Sequence, residues 1–223
     1  MRYLALATDY DGTLATDGAV DRETVAALQR LAATGRKLIL VTGRQLGDLL
    51  RVFPDATLCD VVVAENGAVL YRPANRETRI LAPPPPAHFV EMLRRRGVKP
   101  IWVGQVVVAT VEPNETAVTD VIRELGLDLQ VILNKGSVMV LPASVDKATG
   151  LRAALAELAL SPQSVVGIGD AENDQAFLAM CGCGVAVANA LDALKARAKH
   201  VTRGEAGAGV REVIDELIVE DRR

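Results

Sequence analysis

Tyr3-Leu4-Ala5-Leu6-Ala7-Thr8, followed at once by Asp9-Tyr10-Asp11-Gly12-Thr13-Leu14, is the stretch that decides the fold. Residues 3–8 form a nearly continuous apolar run, the pattern of a strand covered on both faces. Such strands belong to parallel sheets, and α/β sheets place their ligands at the carboxyl ends of the strands. Two carboxylates at i and i+2 leave the strand there, and Gly12 lets the chain turn sharply and come close to a ligand. Taken alone, this pair reads equally as an acidic turn or as a functional constellation.

The same texture extends outward. Asp21 is placed to cap a helix predicted over residues 22–34, with Val25, Leu28, Leu31 and Ala32 on one face and Gly35 as its stop. Lys37–Val41 reads as the next buried strand, Leu46–Val52 as a short helix stopped before Pro54, and Val61–Ala64 as a third strand. Late in the chain the alternation resumes, with helix 147–159, strand 164–168, helix 173–180, strand 184–187 and closing helices at 190–198 and 210–218. Alternation of apolar strands with helices predicts an α/β, Rossmann-like core: a parallel sheet with helices on both faces and right-handed crossovers.

Between the halves the texture changes. Four prolines at 83–86 exclude a helix or central strand and predict a stiff polyproline-type segment. A helix near 89–96, a strand near 101–111 and a helix near 116–125 follow. Two short strands at 129–133 and 138–141 flank Asn134-Lys135-Gly136-Ser137, a hairpin turn. Residues 78–143 thus read as a small α+β insertion, with 1–77 and 144–223 as the core.

Composition narrows the function. Among 223 residues, 50% are hydrophobic and 24% charged, which excludes disorder, and 3% aromatics require an aliphatic core. A formal charge of −3 has the wrong sign for nucleic acid or an anionic membrane as partner. The apolar runs fall short of the ~18 residues of a membrane-spanning helix. The amino-terminal run meets Asp9 too soon for a secretory signal, so a cytoplasmic location is expected. Cys59, Cys181 and Cys183 are too few and oddly numbered for a disulfide framework, and they read as structural thiols.

Three further pieces favour function for the acidic pair. Strand 37–41 ends in Thr42-Gly43-Arg44, a hydroxyl with exposed amides. Lys147 opens a predicted helix, where backbone amides add to its charge in binding an anion. Strand 164–168 ends in Gly169-Asp170-Ala171-Glu172-Asn173-Asp174, a second acidic strand end. In one parallel sheet these converge on one edge, and carboxylates so grouped need a divalent cation or must protonate. Oxygen ligands without His or Cys point to Mg2+.

Here the pattern resembles a known family. D-x-D-G-T-L, T-G-R after the second strand, a lone lysine and G-D-x-x-N-D, in that order, resemble the four motifs of the haloacid dehalogenase-like (HAD) hydrolase superfamily. Further matches are Glu65-Asn66-Gly67-Ala68 after the third strand and 184–190, Gly-Val-Ala-Val-Ala-Asn-Ala. The insertion resembles the type IIB (Cof-like) cap, and its shortness that of archaeal-type phosphoglycolate phosphatases. The resemblance implies a phosphatase in which Asp9 is the nucleophile that becomes an aspartyl-phosphate. Asp11 would be the general acid and base, and Thr42, Gly43, Arg44, Lys147 and Asn173 would serve phosphate and substrate. Mg2+ would sit among Asp9, the carbonyl of Asp11, Asp170 and Asp174. Relatives that protonate no leaving alkoxide carry another residue at the position of Asp11. Phe177 departs from the methionine common after N-D and is expected to pack beneath the site.

Plainer readings stand beside these. Arg44 is open between a phosphate contact and a salt bridge, while Asn66 and Asn189 read first as turn stabilisers. His88 and His200 read as exposed residues uncoupled from the acids. Hairpin residues 134–137 are expected to face inward under a closing cap, bringing Lys135 within reach of substrate. They offer one cation and no aromatic platform for a base, so phosphoglycolate or a sugar phosphate is expected over nucleotides. A phosphosugar mutase and a non-enzymatic phospho-aspartate switch are the alternatives. The expected partner is a small phosphorylated metabolite, with the chain a monomer or homodimer.

Overall fold

The computed structural model describes residues 2–220. The first half of the core contains β1 (Ala5–Thr8), α1 (Arg22–Ala32), β2 (Lys37–Val41), α2 (Leu46–Val52), β3 (Val61–Ala64), β4 (Val69–Arg72) and β5 (Glu77–Ile80). Next come α3 (Ala87–Arg95), β6 (Trp102–Val103), β7 (Val108–Val111), α4 (Glu115–Glu124), β8 (Leu129–Asn134) and β9 (Ser137–Pro142). The chain then returns through α5 (Lys147–Glu157), β10 (Val165–Gly169), α6 (Gln175–Met180), β11 (Cys183–Ala186), α7 (Asp192–Lys195), β12 (His200–Val201) and α8 (Ala206–Glu220).

An eight-stranded sheet runs β12-β11-β10-β1-β2-β3-β4-β5, parallel from β12 to β3 and antiparallel at β4 and β5. Every residue of β1, β3 and β10 is buried, as their unbroken apolar runs demand. Thr8 stands in register with Ile168 on one side and Leu40 on the other. The segments carrying Asp9, Thr42 and Asp170 therefore leave the sheet along one edge.

The second sheet, β6-β7-β9-β8, is wholly antiparallel. One face takes Val108, Val138 and Val140 against Phe89, Leu93, Val118 and Val121 of α3 and α4, giving this unit its own core. The other face presents Trp102, Ala109 and Met139 in one register row. Lys135 and Gly136, at φ 49° and 79°, make the two-residue turn closed by the Asn134–Ser137 pair.

Most differences from the sequence reading shift element ends by a few residues; three are larger. The single strand expected at 101–111 is two strands, because the Glu65 carboxylate accepts the N–H groups of Gln105, Val106 and Val107 and bends the chain there. The large sheet continues through β4 and β5, so residues 77–80 pair with it although the insertion was expected from 78. All four residues of β5 are exposed, leaving no apolar pattern to read. The helix expected at 190–198 is the single turn α7.

Asp21 caps α1 as expected: it accepts the Thr24 N–H at 2.7 Å and also receives Arg211 from α8 at 2.9 Å. Burial opposes its charge, but the Thr24 amide and hydroxyl, with Arg211, hold its carboxyl below the ordinary range. Asp21→Ala is expected to cost about 1 kcal/mol, or about 2–4 °C in Tm for a chain of this size. An unchanged thermal melt would refute the cap's contribution.

Candidate active site

The carboxyl edge of β1 and β2 faces the inner side of the small sheet across a cavity of about 580 Å³. Asp9, Asp11, Gly43, Arg44 and Lys147 form its core wall, and Trp102, Lys135 and Met139 face them.

Lys147 is the first residue of α5, whose N-cap Asp146 exchanges reciprocal hydrogen bonds with Thr149. The amino end of α5 seats directly on the Glu65–Gly67 turn. A Cβ on Gly67 (φ 104°) would lie 1.9 Å from the Asp146 carbonyl oxygen, and one on Gly150 would lie 2.4 Å from the Gly67 Cα. Close backbone contact thus sets the depth at which Lys147 enters the site. Its Nζ donates to Asp9 Oδ1 and to Asp174 Oδ1, each at 2.6 Å. Asp9, Asp170, Asp174 and Lys147 are all at most 4% exposed. Asp174 turns its other oxygen to the N–H groups of Asp170 and Ala171, shaping the loop after β10.

Three carboxylates have oxygens within 4.8 Å of one another, and two of them, Asp9 and Asp174, share the one buried ammonium. Burial, with the Asp174 charge beside it, pushes the Asp9 carboxyl up to about 8 against the pull of Lys147. Burial also works against the Lys147 charge, but Asp174 and Asp9 outweigh it and hold the lysine above its ordinary range. The cluster is short of positive charge.

A seat for another cation adjoins it. Lys135 Nζ, from the hairpin tip, donates to the Asp11 carbonyl at 2.8 Å and to Asp170 Oδ2 at 2.7 Å. Asp170 Oδ1 accepts the buried Thr13 hydroxyl at 3.2 Å. Gly12, at φ 85°, passes so close that a Cβ would meet Lys135 Nζ at 2.5 Å and Asp170 Oδ2 at 2.6 Å. Backbone carbonyl and carboxylate oxygens are the donors that hard divalent cations take.

The structure thus brings together Asp9, Lys147, Asp170 and Asp174, with the Asp11 carbonyl beside them. The other expected site residues sit differently. Both oxygens of the Asp11 side chain accept from Arg44, each at 2.8 Å. Arg44 also pairs with Asp48 and lies over the Tyr10 ring, so the salt-bridge reading describes its contacts. Thr42 is fully buried, its hydroxyl oxygen accepting the Arg44 N–H, whereas Gly43 reaches the cavity. Asn173 donates to Asn66, and its own Oδ1 is buried without a hydrogen-bond partner. Asn189 braces the Gly12 carbonyl against the Ala206 N–H. Phe177 is fully buried. Burial pushes the Cys59 and Cys181 thiols up to about 12, in keeping with structural roles.

Two residues were missed. Glu65, quoted only as part of a motif, ties the core to the β6–β7 loop through three backbone amides. Trp102, half exposed on the cavity wall, supplies the aromatic surface that the hairpin lacks. Its being the chain's one tryptophan was the available signal; its facing the acids depends on the register of the small sheet.

Comparison with known proteins agrees with this geometry. A family model described as haloacid dehalogenase-like hydrolase matches residues 6–117 and 120–214. A phosphoglycolate phosphatase of Methanothermobacter thermautotrophicus is 32% identical over 219 residues, covering 94% of this chain and 96% of its own. One from Sulfolobus acidocaldarius is 30% identical over 216 residues, covering 95% of each. A solved sugar phosphatase of HAD subclass IIB shares the fold at a TM-score of 0.77 and 20% identity, over 96% of this chain and 98% of that one. Among the described residues, no helix is long and apolar enough to cross a membrane. With the family model spanning nearly the whole chain and the parallel core carrying a small antiparallel cap, the protein belongs to the haloacid dehalogenase-like hydrolases.

Proposed function

We propose that this protein is a Mg2+-dependent cytoplasmic phosphatase that hydrolyses a small phosphomonoester, of the phosphoglycolate or sugar-phosphate kind, through an aspartyl-phosphate on Asp9. The carrying observation is the Asp9 carboxylate on the cavity floor, 2.6 Å from the Lys147 ammonium and grouped with Asp170 and Asp174. An anionic nucleophile meets an anionic phosphate monoester only where cations offset the repulsion.

Asp9 attacks phosphorus, and the bond to the leaving oxygen breaks as Asp11 delivers a proton to it. Asp11 then takes a proton from the attacking water, which releases phosphate and restores Asp9. Arg44 grips both Asp11 oxygens, so one of them leaves the guanidinium to carry the proton while the other keeps the side chain oriented. Lys147 offsets the charge of Asp9 and of the phosphoryl oxygens. Asp9, Asp170 and the Asp11 carbonyl would hold Mg2+, with Asp174 behind them. The fit rests on the oxygen donor set and on the ammonium that already stands on two of its members. When bound, Mg2+ would neutralise the acids and draw charge from the phosphoryl group. The insertion assigned to residues 78–143 acts as a cap that excludes water and supplies specificity.

A phosphate-release screen over phosphorylated metabolites tests this reading. Small anionic or polyol phosphates should be turned over, giving free phosphate rather than an isomer. Excess chelator should abolish activity and Mg2+ should restore it. Asp170→Asn should raise the Mg2+ required, with no comparable loss of fold. Full activity in chelator would sink the metal assignment, and isomerised product would favour the mutase.

A further inference from the structure

We propose that Lys135 is an exchangeable counter-ion: the cap's ammonium and a divalent cation take turns on the Asp11 carbonyl and Asp170 Oδ2, so that metal loading unlatches the hairpin from the core. The proposal rests on the metal reading given above.

The contact spans two units of the fold and joins residues 124 and 35 positions apart in sequence. The Lys135 side chain is 51% exposed and that of Asp170 only 5%, so a solvated stem reaches down to a buried oxygen. Lysine is an unusual choice at this turn, where its φ of 49° suits asparagine or glycine better. The ammonium's two partners give it a use there. The oxygens themselves limit occupancy: Nζ already lies 2.8 Å from one and 2.7 Å from the other, so a cation seated on the same two oxygens would overlap the ammonium. Two cations placed on the same pair of oxygens also repel each other.

Mutual exclusion has a reciprocal consequence. If Lys135 must leave before a metal binds, removing its charge strengthens metal binding, and the metal weakens hairpin docking by the same factor. A half-exposed ion pair with a second hydrogen bond sets that factor at about threefold to tenfold.

The test uses the full chain without substrate, so it does not depend on the phosphatase activity. Mn2+ binding is titrated by electron paramagnetic resonance for wild type and for Lys135→Met, which keeps the stem and drops the charge. The variant should bind Mn2+ about threefold to tenfold more tightly. In wild type, labelling of Lys135 by an amine-reactive acetyl ester, read by mass spectrometry, should rise by a similar factor at saturating Mg2+, while Lys195 stays constant. This second measurement needs no variant. Equal or weaker Mn2+ binding by Lys135→Met, or Mg2+-independent labelling of Lys135, overturns the exchange. Failure of wild type to bind Mn2+ overturns the metal reading and the exchange together.

Discussion

Asp9→Asn is expected to lower phosphate release by about 10⁴–10⁶-fold, the scale on which removing a covalent nucleophile acts, and to leave the fold intact. The neighbouring acids are poorly placed to take over. Asp174 is committed to Lys147 and to two backbone amides, and Asp170 to Thr13 and Lys135. The variant should also shift stability in a direction that an ordinary surface change would not. With its carboxyl raised from 3.8 to about 8, Asp9 binds more protons folded than unfolded across that interval. Stability of the metal-free wild type therefore falls as pH rises from about 4 to about 8. Asparagine has no such term. The variant should gain on wild type across this window when both are melted in chelator. Substantial turnover by Asp9→Asn would end the covalent mechanism, and a variant that lost stability relative to wild type as pH rose would contradict the charge imbalance.

The legible part of this molecule is the part whose chemistry is local. The runs at residues 5–8, 37–41 and 61–64 announce buried strands because each must be apolar along its whole length. Asp21 and Gly35 mark the bounds of α1 through backbone requirements that few residues meet. Asp9, Asp170 and Asp174 could be gathered from sequence because parallel order places the ends of β1 and β10 on one edge. Lys147, which opens α5 after a strand of the other sheet, was legible through the start of its helix and the family resemblance. The missed features are relations between distant segments. Glu65 bends a chain 40 residues away, and Trp102 matters only because β6 pairs with β7 and turns that face toward the acids. Exposed β5 lacks the alternation that would reveal it, since backbone pairing and an ion pair from Arg79 to Glu157 of α5 hold it, and neither needs an apolar face. Arg44 was ambiguous for another reason. Its partners, Asp11 and Asp48, lie on two different elements, and only the path of the loop after β2 decides between phosphate and carboxylate.

Asp11→Asn should lower turnover of an alkyl phosphate by about 10²–10⁴-fold, the range for a positioned acid–base group. Asparagine keeps an acceptor for Arg44, and the Asp11 oxygen at the cation seat belongs to the backbone, so Mg2+ dependence should hold. The leaving group separates this role from simple positioning. p-Nitrophenolate leaves without a proton, so transfer to Asp9 should survive in the variant, whereas hydrolysis of the aspartyl-phosphate still lacks its base. Rapid mixing with p-nitrophenyl phosphate should give a burst approaching one p-nitrophenolate per protein, followed by slow turnover. The alkyl substrate should show no burst, because its first step is also impaired. Equal losses for both substrates with no burst would mean that Asp11 holds Arg44 in place and moves no proton.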